Sequence, residues 1–579
     1  MAMRRTTRAA ITRWMIRLVV LVAAVLVARA LRASYTNGTT PGLEGQLAVR
    51  AFEVARTSFL RGDGFPLWDR SQCGGAPFLG NPDTTVLGTL VAGLFRVRGD
   101  AMVRGYLLVA AVIAVTGGYA WGRAALLVDR LPAFLVGVVF AASGGVAFHG
   151  NFRVHFAAIA LLPWVLALAR LGEKDLRAAV GAGIAFGVVG LEGGLYPIAF
   201  VSIALLVSEA PRVLAVDGGF GAVGRVLGIT LALGLCLAAV KLVPMFSLLS
   251  LHPRHFVERD SPQWQHFFAM LGESEINRPP GLMYSADEYR GYVGPLIIGM
   301  GIAGTGTALL LKPRRGDLVA LLLASMVLAR GASSPYAPWS LLSKVPLFHQ
   351  LNVPSRWILV VDLAVAGGAA VALHEAIRAV RRPHLVALML VVGVFAAWAP
   401  LAAARKLYAD LPRQQPLPAT DPVTRPYQLQ PGLEDLARKA ENPMRNVGTD
   451  SCYSLSLELP APRGLRMGEV PQAWMDAGSV TRAEVRQSGW VLDVRAPAPT
   501  IVHFNQTFSP DFQANIGRVQ RNPSMTLDLA VPAGDHHIML RHRPRGLVVG
   551  LVLTVGAVLA SLAVFAAPVL QGIRRRRAA

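Results

Sequence analysis

Apolar runs separated by short charged clusters dominate the chain up to about residue 400. In a bilayer every backbone polar group needs an internal partner, so such runs predict helices that cross the hydrocarbon core. Candidate spans fall near 14–32, 104–122, 132–149, 156–171, 177–192, 195–209, 222–246, 291–311, 317–330, 355–375, 384–403 and 546–568. The pattern predicts a polytopic α-helical membrane protein of about 12 spanning helices. A further run, Val86–Phe95, is too short to cross and reads as an interfacial or re-entrant helix. The stretch 177–209 is broken at Glu192-Gly193-Gly194, which suggests a helical hairpin.

The pattern changes after about residue 404. Long apolar runs give way to proline and charge, and from Val480 apolar and polar positions alternate. Val480–Val485, Trp490–Arg495, Thr500–Phe504, Met525–Val531 and His537–Arg541 read as strands, with Pro532–Asp535 as the turn between the last two. Residues 404–450 read as irregular or weakly helical. The expected organisation is a transmembrane domain over 1–403 with outer loops 33–103, 247–290 and 331–354. An extracytoplasmic domain over 404–545 follows, β-sandwich-like from about 480. A final span and basic tail occupy 546–579.

Charge sets the orientation. Lys and Arg number 57 against 35 Asp and Glu, a formal net charge of +22. The excess sits beside apolar runs, as at Lys312/Arg314/Arg315, Arg378/Arg381/Arg382 and Arg574–Arg577, where the positive-inside rule accounts for it without nucleic acid. Both termini are then cytoplasmic. Only 16% of residues are charged, against about 25% in soluble domains, which excludes a single soluble core. Arg4, Arg5 and Arg8 precede the first run without a convincing cleavage site, so that run reads as a span. Three cysteines make no disulfide framework. Cys73 and Cys452 both fall on the outer side, but nothing in the sequence brings them together, and two unpaired thiols is the simpler expectation.

No phosphate-binding glycine loop, zinc spacing or nucleophile elbow occurs. The first outer loop is the richest segment, dense in Trp, Pro, Gly and carboxylates. Its run GDGFPLWDRSQCGGAPFLGNPD (62–83) resembles the signature of YfhO-type bacterial membrane proteins, in the C-type (GT-C) glycosyltransferase superfamily. HGNFRVHFAAIALLPWVLAL (149–168), LEGGLYPIAF (191–200) and ASSPYAPWSLLSKVPLFHQLNVPSRW (332–357) are similar to further family segments in the same order. So is IVHFNQTFSPDFQANI with LAVPAGDHHIMLRHRP near the end. Two positions depart from the pattern: Glu44 stands where aspartate is expected, and Asn352 where arginine is.

The resemblance implies a GT-C-like fold in a bacterial inner (plasma) membrane. It implies transfer of a sugar from a polyprenyl-phosphate donor to an extracytoplasmic envelope glycan or similar acceptor. A carboxylate of the first outer loop would take the acceptor proton, and cationic groups near the membrane lipid would meet the leaving phosphate. Glu44 is the first candidate base, against a solvated loop charge. Asp69 and Asp83 are its substitutes, against a turn residue and a helix cap. Arg153, His155 and Glu192 in short outer turns, with Arg356 at a helix start, are the candidates for binding the donor and its lipid phosphate. Structural pairing and snorkelling are their alternatives.

The loop 247–290 carries Arg254, His255, Glu273, Arg278 and Glu288 among other ionisable groups, and reads as a cover over the acceptor site. No cofactor is firmly indicated, and a divalent cation stays open. Two other functions compete. A transporter or flippase of lipid-linked glycans needs charge along its spans, where Lys241 and Asp362 are the main examples. A non-catalytic envelope scaffold would leave the outer carboxylates scattered.

Overall fold

Helices form where apolar runs must satisfy their own backbone, and small residues decide how closely they pack. The computed structural model describes the chain except residues 1, 32–38, 43, 215–218, 254–259, 276–285, 312–314, 381, 411–412, 419–425, 433–435, 453–458, 460–461 and 579. In chain order the helices are α1 (Ala2–Leu31), α2 (Gly45–Leu60), α3 (Val86–Leu94), α4 (Gly99–Ala124), α5 (Arg130–Ala142), α6 (Gly144–Phe152), α7 (Leu162–Gly172), α8 (Leu176–Glu192), α9 (Leu195–Leu214) and α10 (Gly219–Leu251). There follow α11 (Trp264–Gly272), α12 (Pro295–Leu311), α13 (Gly316–Ala329), α14 (Pro338–Leu342), α15 (Pro346–His349), α16 (Ile358–Ala379), α17 (Pro383–Asp410), α18 (Leu436–Arg445) and α19 (Leu547–Ala578).

The protein is a multi-pass helical membrane protein. Among the described residues 8 helices are long and apolar enough to cross a bilayer, or 9 if α5 and the start of α6, bent by 45°, make one span. Each segment expected to span is helical. The difference from about 12 spans lies in α8, α12 and α13, which are only 17, 17 and 14 residues long. Lys312, Arg314 and Arg381 of the expected basic clusters lie outside the described residues.

The core runs along α16, whose apolar window is 94% buried, against 17% for α1, α17 and α19. Lipid tails are as apolar as the helices themselves, so the more apolar α1, α17 and α19 can sit at the edge while the less apolar α16 lies inside. Close approach depends on glycine. A Cβ on Gly118 of α4 would fall 2.5 Å from the Cα of Gly137 in α5, and one on Gly368 of α16 would fall 2.5 Å from the Gly301 carbonyl oxygen of α12.

The first outer loop is more structured than its composition suggests. The short helix expected at 86–95 is α3. Before it comes α2, which the sequence did not announce because its inward face carries Arg50, Glu53 and Arg56. Glu53 accepts the Gly99 amide at 2.6 Å and the Arg56 guanidinium at 2.8 Å, so the buried charges also satisfy the start of α4.

Short pairings tie this loop to the rest. Strand β1 (Thr40–Pro41) pairs with β4 (Arg413–Gln414), β2 (Trp68–Asp69) with β3 (Ala76–Pro77), and β5 (Gln428–Gln430) with β6 (Val447–Thr449). The C-terminal strands are β7 (Ala473–Met475), β8 (Ser479–Arg486), β9 (Gly489–Ala496), β10 (Thr500–Thr507), β11 (Phe512–Ala514), β12 (Arg518–Arg521), β13 (Thr526–Val531) and β14 (Gly534–His542). They form two four-stranded sheets, ordered β12-β13-β10-β7 and β11-β14-β9-β8. All five expected strands are present. The expected turn 532–535 is shorter: Pro532 and Ala533 carry the chain from one sheet to the other, and Gly534, at φ +127°, already starts β14.

The sandwich core takes alternate residues of both sheets, among them Trp490, Leu492, Phe504, Leu527 and Ile538. It also takes Trp68 from the first outer loop, whose ring centroid lies 5.0 Å from Phe512 and 4.6 Å from His542. The expectation of two unpaired thiols is corrected here: Cys73 and Cys452 form a disulfide across 379 residues of sequence. The Gly74 amide donates to the Thr449 carbonyl at 2.7 Å and the Cys73 amide to the Ser451 carbonyl at 3.1 Å, so backbone pairing sets the two cysteines side by side.

The denatured, unreduced protein should therefore react with one equivalent of maleimide, at Cys236, and with three after reduction, as read by intact mass. Cys73→Ser should destabilise the outer domain by about 2–4 kcal/mol in thermal unfolding. Three reactive thiols before reduction would contradict the pairing.

Candidate active site

Glu44 stands at the first turn of α2, held there by its neighbours. Gln46 donates from Nε2 to the Pro41 carbonyl at 2.7 Å and to Thr40 Oγ1 at 3.1 Å, and the Gly45 amide donates to the Gly42 carbonyl at 3.1 Å. This explains the spacing of Pro41, Glu44 and Gln46: the polar side chain two residues on closes the turn that presents the carboxylate. Glu44 Oε2 lies 2.9 Å from Nε of Arg153.

Arg153 falls where α6 stops and a 3-10 turn, Val154–Leu161, begins, with φ −125° and ψ 91° at the junction. That extended residue turns the guanidinium back toward the loops. Nη2, on the same edge as Nε, meets Glu288 Oε1 at 2.6 Å. Glu288 is also forked by Arg356, with Nε to Oε2 and Nη2 to Oε1 both at 3.0 Å. Two parallel charge-assisted bonds fix orientation as well as energy. His149 Nδ1 stands 4.0 Å from Glu288. The Arg356 guanidinium lies over Tyr196 at 4.7 Å and Phe156 at 5.3 Å. Tyr196 in turn donates to Asn352 Oδ1 at 2.9 Å and accepts from the Val353 amide at 3.0 Å.

Two carboxylates and two guanidiniums thus share one enclosed cluster. Glu44 is its most open member, with a side-chain exposure of 13% against 8–10% for the others. Burial pushes the Glu288 carboxyl up, but Arg356, Arg153 and His149 together outweigh it and hold the group well below the usual carboxylate range. Nothing in its sequence context set Glu288 apart from the other ionisable residues of loop 247–290. Arg254, His255 and Arg278 of that loop lie outside the described residues.

Asp83, His155 and Glu192 form a neighbouring group with Lys241. Glu192, the last residue of α8, accepts the amides of Leu87 at 2.6 Å and Gly88 at 3.2 Å. It therefore satisfies the start of α3, the capping role expected of Asp83. The Asp83 amide closes a turn on Asn81 Oδ1 at 2.9 Å, and α3 begins after Thr85. Lys241 Nζ, deep in α10, donates to the Thr84 carbonyl at 2.6 Å and the Leu191 carbonyl at 3.1 Å. His155 follows Arg153 by two residues and its ring lies 5.0 Å from that of Phe156, over which Arg356 sits at 5.3 Å, so the two groups are adjacent. The turn at 193–194 closes against this group only as glycine. Gly194 has φ +63°, and a Cβ there would fall 2.5 Å from the Pro82 carbonyl oxygen.

Asp69 goes elsewhere. It accepts the Ser71 amide at 2.9 Å and hydroxyl at 2.5 Å, and its Oδ2 lies 3.6 Å from Arg50, beneath the sandwich. The structure thus brings Glu44, Arg153 and Arg356 together, sets Asp83, His155 and Glu192 beside them, and gives Asp69 a turn and an ion pair of its own. Among the described residues no three His, Cys, Asp or Glu side chains gather as a metal site.

No family model and no curated protein sequence matches the chain. Solved structures do. It is similar to the arabinofuranosyltransferase AftD from Mycobacteria, at 20% identity over 70% of this chain and TM-score 0.43. It is similar to the oligosaccharyltransferase AglB from Archaeoglobus fulgidus, solved with an inhibitory peptide and a dolichol-phosphate, at 12% identity over 74% of this chain and TM-score 0.45. ArnT from Cupriavidus metallidurans, bound to undecaprenyl phosphate, matches at 15% identity over 75% of this chain and TM-score 0.42. The matched part covers 28% of the AftD chain, 64% of AglB and 89% of ArnT.

Glu288 contributes stability above about pH 4, its unfolded range, and loses it only as pH falls through its depressed folded value. Arg356→Gln removes one of its positive partners. That change should lower thermal stability in detergent by about 3–5 kcal/mol and move acid unfolding toward neutral pH. An unshifted acid midpoint in the variant would contradict the ion-pair account.

Proposed function

We propose that the chain is a membrane glycosyltransferase that moves a sugar from a polyprenyl-phosphate donor to an extracytoplasmic glycan acceptor. The observation that carries this reading is the convergence of Glu44, Arg153, Glu288 and Arg356 at one end of the bundle. A scaffold has no use for two carboxylates and two guanidiniums enclosed together, since burying such groups costs several kcal/mol per ion before pairing. A flippase needs its charges along the path. Here Lys241, one of the two span charges named above, is spent on two carbonyls, and the other, Asp362, lies on a different helix, α16.

In the proposed step the acceptor hydroxyl oxygen attacks the anomeric carbon. Its proton passes to Glu44, and the bond from the anomeric carbon to the phosphate oxygen breaks with the electron pair going to phosphate. Arg153 grips one oxygen of Glu44 and so fixes the carboxylate's rotamer. Arg153 and Arg356 meet the phosphate charge as it grows, without reorganising, because Glu288 already holds them in place. A single base with direct displacement inverts the anomeric configuration. Asp83, His155 and Glu192 border the same space and shape the donor side.

Orientation follows two arguments that agree. The basic clusters favour the inside, and a Cys73–Cys452 disulfide suits an oxidising compartment, so both support the reading in which the first loop and the sandwich lie outside the cytoplasm of a bacterial inner membrane.

The test is transfer in vitro from a polyprenyl-phosphate sugar. Glu44→Gln keeps the size and the Arg153 contact but removes the base, and should lower kcat by about a hundredfold or more with the donor Kd nearly unchanged. Undiminished turnover would remove Glu44 from the reaction. Absence of any transfer by the unaltered protein, with vesicle assays showing lipid-linked glycan crossing instead, would replace the reading with a flippase.

A further inference from the structure

A cleft of about 530 Å³ opens on the outward face of the sheet β11-β14-β9-β8, between that face and the segment Gly62–Leu67. Alternation puts Trp490, Leu492, Leu540 and Ile538 in the sandwich core, so their neighbours along the strands face outward. Register then builds the floor. Arg486 of β8 pairs with Gly489 of β9, and Gly489 pairs with Arg541 of β14. Directly paired residues point to the same side, so two guanidiniums flank a position with no side chain. Strands lie about 4.8 Å apart, which sets the two arginine stems roughly 10 Å from each other. Gly489 cannot be larger, because a Cβ would run into the Leu540 carbonyl oxygen. The next row, Glu484, Val491 and Met539, places apolar side chains beside that gap, with Met539 38% exposed.

The opposite wall is fixed. Asp63 accepts the Gln487 amide at 2.9 Å, the Leu67 amide donates to Ser488 Oγ at 2.9 Å, and Ser58 donates to the Gly64 carbonyl at 2.7 Å. Four arginines line the cleft, Arg482, Arg486, Arg541 and Arg543, with Asp63 in the facing wall and Glu484 beside Arg482 and Arg486 as the carboxylates near them. Arg482 and Arg486 share Glu484 at 2.9 and 3.0 Å. Among the described residues Arg541 and Arg543 make no ion pair.

We propose that this cleft binds a saccharide carrying carboxylate or phosphate groups. The spaced guanidiniums suit ionised substituents on successive positions of a chain, and Val491, Met539 and Phe65 offer surface for the apolar faces of sugar rings. A concave, walled recess fits a discrete chain rather than the flat headgroup layer of a bilayer. The inference extends the glycosyltransferase reading by giving the acceptor a charge. Its test needs no transfer reaction, so failure of one leaves the other standing.

The experiment is calorimetric titration of the full chain in phosphatidylcholine nanodiscs. The probes are tetragalacturonate and glucose 6-phosphate for the two anionic groups, with maltotetraose as the neutral control. Tetragalacturonate or glucose 6-phosphate should bind and weaken with added salt, and maltotetraose should not bind. The double variant Arg486→Gln/Arg541→Gln should lower affinity by about tenfold or more. Arg495→Gln, an arginine of β9 paired with Asp535 and outside the cleft, should leave it unchanged. Equal binding of maltotetraose, no binding of either anionic probe, or an unaffected double variant would overturn the proposal. So would competition by anionic lipid in the disc that the double variant abolishes, since that would assign the cleft to headgroups.

Discussion

A carboxylate buried between two guanidiniums holds one end of the helix bundle together. Glu288 comes from a short turn before α12, Arg153 from the break after α6, Arg356 from the turn that starts α16, and Glu44 from the first outer loop. Any one of them enclosed alone would carry an uncompensated charge, at a cost of several kcal/mol. Each segment can therefore settle only where the other three are already placed. α16 is the most buried span, and it begins directly after Arg356, so the register of the helix core and the geometry of the charged cluster are fixed by one contact. Such an arrangement is costly as a stability device and useful as a preorganised site.

The same loop is tied down along its whole length. Its start pairs with Arg413–Gln414, its middle gives Trp68 to the sandwich core and Cys73 to the disulfide, and its end is capped by Glu192. The loop and the C-terminal domain are thus one packed unit, though the sequence separates them by most of the transmembrane region. The position of Glu44 depends on this unit, because the strand that precedes it is paired to the segment leaving α17. The sandwich acts as a brace for the site as well as a surface beside it.

What could be read from the sequence was what has a period. The spans and the five long strands follow from hydropathy and alternation, and α3 from the length of its apolar run. Helix α2 was hidden because Arg50, Glu53 and Arg56 occupy its inner face, where a hydropathy pattern expects apolar residues. The disulfide was hidden because partners 379 residues apart leave no local trace. Arg153 and Arg356 were legible as charges near helix ends, where only pairing or function makes them tolerable, and Glu44 only through the resemblance of its loop to a known pattern. Their meeting point, Glu288, looked like any acidic residue of a polar loop. Asp69 had the same local credentials as Glu44, and only the fold separates a carboxylate that faces Arg153 from one that closes a turn on Ser71.

Glu44 and Asn352, the two positions that differ from the pattern the sequence resembles, both belong to the charge balance of the cluster. Asn352 stands where an arginine is expected, and its side chain accepts the Tyr196 hydroxyl beneath Arg356. Two guanidiniums then face two carboxylates, whereas a third cation would leave a surplus. In the proposed reaction the donor phosphate enters with one negative charge and leaves with two, while Glu44 goes from one to none. The total in the site stays constant, and the charge moves from Glu44 toward the phosphate. Arg153 touches both Glu44 and Glu288, so in that reaction protonation of Glu44 frees Nε of Arg153 as the phosphate needs it. A glutamate extends its carboxylate one methylene, roughly an ångström, beyond an aspartate's, a difference large enough to change catalytic geometry, and here the longer side chain meets Arg153 at 2.9 Å from the start of α2.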